Sequence, residues 1–137
     1  RCGWLDLVIV RHAVRLNGLS GLAVTKLDVL GGMESIKVCT GYEIDGKVEL
    51  NFPASLNKLG RARPIYEEVK GWEDFSSDLA SEFASKGYDA LPPNVRAYLE
   101  FVNKNVGTPI KIVSFGKERN ETIDLRPGKR KQAHSYY

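Results

Sequence analysis

Residues 36 to 52 constrain this chain more than any other stretch. Ile36, Val38, Thr40, Tyr42 and Ile44 alternate with Lys37, Cys39, Gly41 and Glu43, and Val48, Leu50 and Phe52 alternate beyond Asp45-Gly46. A period of two puts successive side chains on opposite faces of a strand, and an Asp-Gly pair suits a two-residue hairpin turn. The segment predicts a β-hairpin that any fold of this chain must accommodate. It also disposes of a decoy. Gly41 to Lys47 spell G-x-x-x-x-G-K, half of a phosphate-binding loop. Val48 stands where Ser or Thr would hold magnesium, and a hairpin is not the strand-loop-helix context that motif needs.

Helical signals surround the hairpin. Leu5 to Leu16 is apolar at nearly every position apart from Arg11, His12 and Arg15, and Asn17-Gly18 closes it as a C-cap would. Within Glu73 to Lys86, Phe75, Leu79 and Phe83 recur every four residues, the mark of an amphipathic helix. Leu91-Pro92-Pro93 opens a third helix with the stripe Val95, Leu99, Val102 and Val106, and Gly107-Thr108-Pro109 stops it. Leu19 to Val24, Pro64 to Val69 and Ile110 to Val113 read as short strands, Pro53 to Arg63 as a polar loop, and Arg119 to Leu125 as the closing segment. Strands interleaved with three helices make the chain α/β.

Composition narrows the function classes. A chain of 137 residues, 42% apolar and 27% charged, suits one packed core. No run approaches the roughly 18 apolar residues of a membrane span, so a soluble, cytoplasmic protein without a membrane partner is expected. The net charge is +3, and Arg126, Lys129, Arg130 and Lys131 supply four of the twenty basic residues. The body is therefore near neutral and lacks the broad basic face of a nucleic-acid binder. Residues 126–137 read as a basic, disordered and solvated tail. Cys2 and Cys39 are isolated and read as reduced thiols, and His12 has no second ligand at metal spacing. The start Arg-Cys-Gly-Trp carries no methionine and suggests a piece of a longer polypeptide.

Two loops carry chemistry. The run Leu19 to Val24 delivers Thr25-Lys26-Leu27-Asp28 at the end of a buried strand. Guanine offers two adjacent donors, N1–H and the 2-amino group, and a single carboxylate accepts both at once. Asp28 suits that task, and the stem of Lys26 can lie over the purine face. Ile110 to Val113 breaks into Ser114-Phe115-Gly116, whose backbone N–H groups can point at the 6-oxygen, an acceptor that adenine lacks. As isolated strings both are also ordinary loops.

Together these stretches resemble a family. Arg1-Cys2-Gly3-Trp4-Leu5-Asp6, Arg15-Leu16-Asn17-Gly18-Leu19-Ser20-Gly21, Thr25-Lys26-Leu27-Asp28-Val29-Leu30, Lys37-Val38-Cys39-Thr40 and Ser114-Phe115-Gly116 follow the order and spacing of adenylosuccinate synthetase. The resemblance runs from Arg1 to about Leu125 and is to the C-terminal third of that family. It implies the C-terminal portion of a mostly parallel-sheet, P-loop-like nucleotide-binding fold. It also implies a cytoplasmic, homodimeric, magnesium-using ligase that joins IMP and L-aspartate at the expense of GTP. In such a ligase the 6-oxygen of IMP is phosphorylated and the aspartate amine displaces it.

On this resemblance Lys26, Leu27, Asp28, Ser114, Phe115 and Gly116 would form the guanine-binding loops. The glycine-rich phosphate loop, the catalytic Asp and His, the magnesium ligands and the IMP contacts find no matching positions here. The segment alone is thus expected to be inactive, and Arg1 receives no catalytic role. The family often follows Ser-x-Gly with Pro-Asp-Arg, where this chain has Lys117-Glu118-Arg119. Two other readings remain open: a non-catalytic guanine-nucleotide-binding module, and a structural or oligomerisation piece.

Overall fold

The computed structural model describes residues 2–127. The expectations for Arg1 and for the tail beyond residue 127 lie outside the described residues. In chain order the elements are β1 (Leu5–Asp6), α1 (Leu7–Asn17), β2 (Leu22–Val24), β3 (Ser35–Ile44), β4 (Lys47–Glu49), α2 (Leu56–Arg61), β5 (Arg63–Lys70), α3 (Ser77–Lys86), α4 (Pro93–Val106), β6 (Ile110–Ser114) and β7 (Thr122–Asp124). Short 3-10 turns cover Leu27–Leu30, Tyr88–Ala90 and Arg119–Glu121. The class is α/β, and the sheets of this portion are mixed: β1–β3 and β2–β6 pair in parallel, whereas β3–β4, β3–β5 and β6–β7 are antiparallel.

The hairpin turns at Asp45-Gly46 as expected, but its return strand β4 ends at Glu49, so Leu50 and Phe52 lie beyond the pairing. Asp45 and Gly46 have φ of 52° and 79°, the two positive angles of a primed turn that matches the twist of the flanking strands. The G-x-x-x-x-G-K decoy is therefore a strand and its turn. β5 runs the length of β3 from Ser35↔Lys70 to Glu43↔Arg63. β1 takes part of the other edge through Leu5↔Val38 and Asp6↔Cys39.

α1 starts at Leu7 rather than Leu5, because Asp6 is its N-cap. One carboxylate oxygen of Asp6 accepts the Val8 and Ile9 amides at 2.9 and 3.2 Å. The Tyr42 hydroxyl donates to the other oxygen, and burial together with that carboxylate pushes the phenol above its ordinary range. Gly18, at φ 58°, closes the helix by donating to the Val14 carbonyl. Arg11 fastens α1 to its surroundings, with its guanidinium 2.7 Å from the Thr40 carbonyl and 3.2 Å from that of Asn105. His12 stacks on Phe52 with ring centroids 4.8 Å apart.

The polar stretch after Pro53 holds a short helix, α2, in place of the expected loop. None of its residues is buried, so no apolar stripe announces it. It is fixed from outside: Arg61 forks onto the Asp45 carboxylate at 3.0 and 3.1 Å, and Leu59 packs on the cluster Val8, Cys39, Tyr42 and Ile44. α3 begins at Ser77, with the Ser76 hydroxyl accepting the Leu79 amide, so Phe75 precedes the helix while still packing against Phe83. The main core joins both sheets through α4. It includes Leu7, Ile36, Val38, Leu99, Val113 and Phe115.

Candidate functional site

β2 and β6 lie side by side and point the same way, with Ala23 opposite Ile112 and Val24 opposite Val113. The chain leaves both strands at one edge of the sheet. From Val24 it runs into Thr25 to Asp28, and from Ser114 into Phe115 and Gly116. The crevice outside the carboxyl ends of parallel strands is where open α/β sheets bind ligands. Topology thus brings together the two loops that chemistry singles out.

The first loop turns sharply. Lys26 adopts the left-handed conformation at φ 60°, ψ 37°, which costs a non-glycine residue roughly 1–2 kcal/mol. Leu27 is in the core at 1% exposure and anchors the turn that leads to Leu30. Its carbonyl accepts the Trp72 indole N–H at 3.3 Å, and the Trp72 carbonyl accepts the Gly32 amide at 2.8 Å. The Trp72 ring is itself held edge-on to Tyr98, 5.4 Å away. Between these two fastenings stands Asp28. Its Oδ1 is shut off from solvent and meets no donor among the described residues. A buried carboxylate oxygen is costly unless a donor reaches it, and native structures rarely leave one unmet.

The second loop divides its groups differently from the sequence expectation. The Phe115 ring is 1% exposed and packs edge-on against Phe75 and Phe83 at 6.0 and 6.3 Å. Its N–H goes to the Glu121 carbonyl at 2.9 Å. Phe115 thus supports the loop from beneath and has no backbone donor to offer a base. The Ser114 hydroxyl donates to the Gly116 carbonyl at 3.0 Å and accepts from Thr122 at 3.3 Å. The Gly116 N–H has no partner among the described residues.

Sequence reasoning missed two residues here. Trp72 follows the Pro64 to Val69 strand and receives no role, and nothing local shows that its indole reaches back to Leu27. Glu121 sits three residues after Glu118 at the start of a 3-10 turn, a spacing related to the capping box that could have drawn attention to it. Trp72→Phe keeps most of the ring packing and removes the indole N–H. It is expected to cost about 1 kcal/mol of stability, read from the urea midpoint, because Leu27 loses its donor.

Among the described residues no group of three or more His, Cys, Asp and Glu side chains could hold a metal ion. No helix among them is long and apolar enough to cross a membrane. Cys2 is exposed and Cys39 buried, both as free thiols.

The family model described as adenylosuccinate synthetase matches residues 1–123. An adenylosuccinate synthetase of Carboxydothermus hydrogenoformans is 53% identical over 125 residues, which is 91% of this chain and 28% of that protein. One from Caldanaerobacter subterraneus subsp. tengcongensis is 48% identical over 126 residues, 92% of this chain and 28% of the relative. The structure of fully ligated adenylosuccinate synthetase from Plasmodium falciparum is similar with a TM-score of 0.80 at 28% identity, over 92% of this chain and 29% of that one. The chain spans a little over a quarter of the length of the curated relatives it matches.

Proposed function

The chain belongs to the adenylosuccinate synthetase family, and on that premise we propose that it supplies the guanine-recognition loops of a GTP-dependent ligase. That ligase joins IMP to L-aspartate and yields adenylosuccinate, GDP and phosphate. Asp28 accepts from N1–H and the 2-amino group of the base, and the Lys26 stem covers the ring. Leu27 anchors the first loop in the core. Ser114 and Phe115 shape the second loop, and Gly116 presents its N–H to the 6-oxygen. The observation that carries this reading is the buried, unmatched Oδ1 of Asp28, held at the carboxyl end of a strand parallel to the one that ends at Ser114.

The magnesium of such a ligase does not fit on the described residues, which offer no ligand cluster. Phosphoryl transfer and IMP binding belong to the remainder of a cytoplasmic, homodimeric enzyme. The test uses the full-length protein, meaning this chain together with the upstream portion its relatives possess. ITP keeps N1–H and the 6-oxygen but lacks the 2-amino group. Since a hydrogen bond to a charged acceptor contributes about 1.5–3 kcal/mol, kcat/KM should favour GTP over ITP by roughly tenfold or more. Parity within twofold would overturn the guanine reading.

A further inference from the structure

We propose that Glu121 is the positioning residue of the second loop, holding it so that the Gly116 N–H faces the 6-oxygen of the base. The proposal rests on the guanine reading above. Glu121 is 4% exposed, an unusual place for a carboxylate with no cation paired to it among the described residues. Donors replace the cation. One of its oxygens accepts the Ser77 hydroxyl at the start of α3, and the other accepts the Glu118 amide at 2.9 Å. Its own backbone closes the loop, since its carbonyl takes the Phe115 N–H at 2.9 Å and its amide donates to the Glu118 carbonyl at 3.1 Å. The Ser77 hydroxyl first, and the Glu118 and Lys117 amides after it, hold the carboxyl below the ordinary glutamate range. It is therefore ionised at neutral pH.

The consequence falls on Gly116. The carboxylate lies so close behind it that a Cβ at that position would sit 2.0 Å from Oε2. With the Phe115 amide on the Glu121 carbonyl and the Glu118 amide on its carboxylate, the amide of Gly116 is left for an outside acceptor. A carboxylate so saturated has one low-energy placement, and the loop around it has one shape.

The experiment separates the two edges of the base. In 6-thio-GTP the 6-oxygen becomes sulfur, a weak acceptor, while N1–H and the 2-amino group stay; ITP alters only the 2-position. Steady-state kinetics of the full-length protein are compared for wild type, Glu121→Ala, Glu121→Gln and Ser77→Ala. Wild type should prefer GTP over 6-thio-GTP about fivefold, the ratio for one neutral hydrogen bond. In Glu121→Ala that preference should fall to within twofold and KM for GTP rise severalfold, while kcat, KM for IMP and the GTP-over-ITP preference hold. Glu121→Gln should restore part of the preference, because its amide oxygen still accepts from the Glu118 amide while the Ser77 hydroxyl can turn to accept from the new NH2.

Three results would overturn the proposal. One is a wild type indifferent to 6-thio substitution, another a Glu121→Ala variant with unchanged preference, and the third a uniform loss across kcat and every KM. If Glu121→Ala does not fold, Ser77→Ala and Glu121→Gln decide, and unchanged preference in both counts against the idea. Loss of the GTP-over-ITP preference in wild type would instead sink the guanine reading itself.

Discussion

Asp28→Asn in the full-length protein is expected to lower kcat/KM for GTP by roughly one to two orders of magnitude and to raise it for XTP. On the proposed reading, the carboxylate of Asp28 offers two acceptors to two neighbouring donors on guanine. An amide keeps one acceptor for N1–H and sets its NH2 against the 2-amino group, so two donors meet in a site that shuts out water. Buried mismatches of this kind cost about 1–3 kcal/mol. Xanthine has a carbonyl at the 2-position, so the same NH2 finds an acceptor while N1–H still donates to the amide oxygen. The substitution alters neither the shape of the side chain nor the strand behind it, which makes a reversal of preference a fair demand. The measurement is the GTP-to-XTP ratio of kcat/KM before and after the change. A ratio equal to that of wild type would mean that Asp28 does not read the base.

Gly71→Ala should damage the fold itself, by about 2–4 kcal/mol. A Cβ on Gly71 would lie 1.7 Å from the carbonyl oxygen of Met33 and 2.7 Å from its carbon, both of them backbone atoms that no rotamer change can move aside. The two chain segments must therefore separate. That strains the Gly71 to Glu34 hydrogen bond of 2.9 Å and the Gly32 to Trp72 bond of 2.8 Å, which hold the far side of the Asp28 loop. Gly60→Ala serves as the control, because nothing lies within 4 Å of a Cβ there and alanine is the better residue inside α2. The midpoints of chemical denaturation should drop clearly for Gly71→Ala and hold or rise for Gly60→Ala. Equal midpoints would show that the backbone around Met33 yields without cost.

How far the sequence is legible depends on the range of the interactions. The hairpin can be read because its turn angles and its alternation lie within a few residues of each other. So can the ends of α4, where Pro93 and Gly107 mark the boundaries in one dimension. The two candidate loops are visible because a carboxylate beside a lysine, and a Ser-x-Gly at a strand end, name a chemistry before any fold is known. α2 stays hidden, since the forces that hold it come from Asp45 across the hairpin tip rather than from a stripe of its own. Phe115 enters the expected base contact only through its neighbours in the motif. The fold puts its ring in the core and commits its N–H to Glu121. Gly71 looks like punctuation after a strand, and its real constraint is the carbonyl of Met33, far back along the chain.

The fastenings of the two loops also decide whether their motifs can be moved. Trp72 holds Leu27 from 45 residues away, and Ser77 holds Glu121 from 44. A peptide copied from residues 22–32 would carry Lys26 and Asp28 but no indole to hold the turn, and one copied from 110–121 would carry Glu121 without the hydroxyl that steadies it. Pasting either string onto another scaffold transfers the letters of the proposed base-reading loops and leaves their geometry behind. The smallest unit that can be grafted is the pair of parallel strands β2 and β6 with the Trp72 segment and the start of α3.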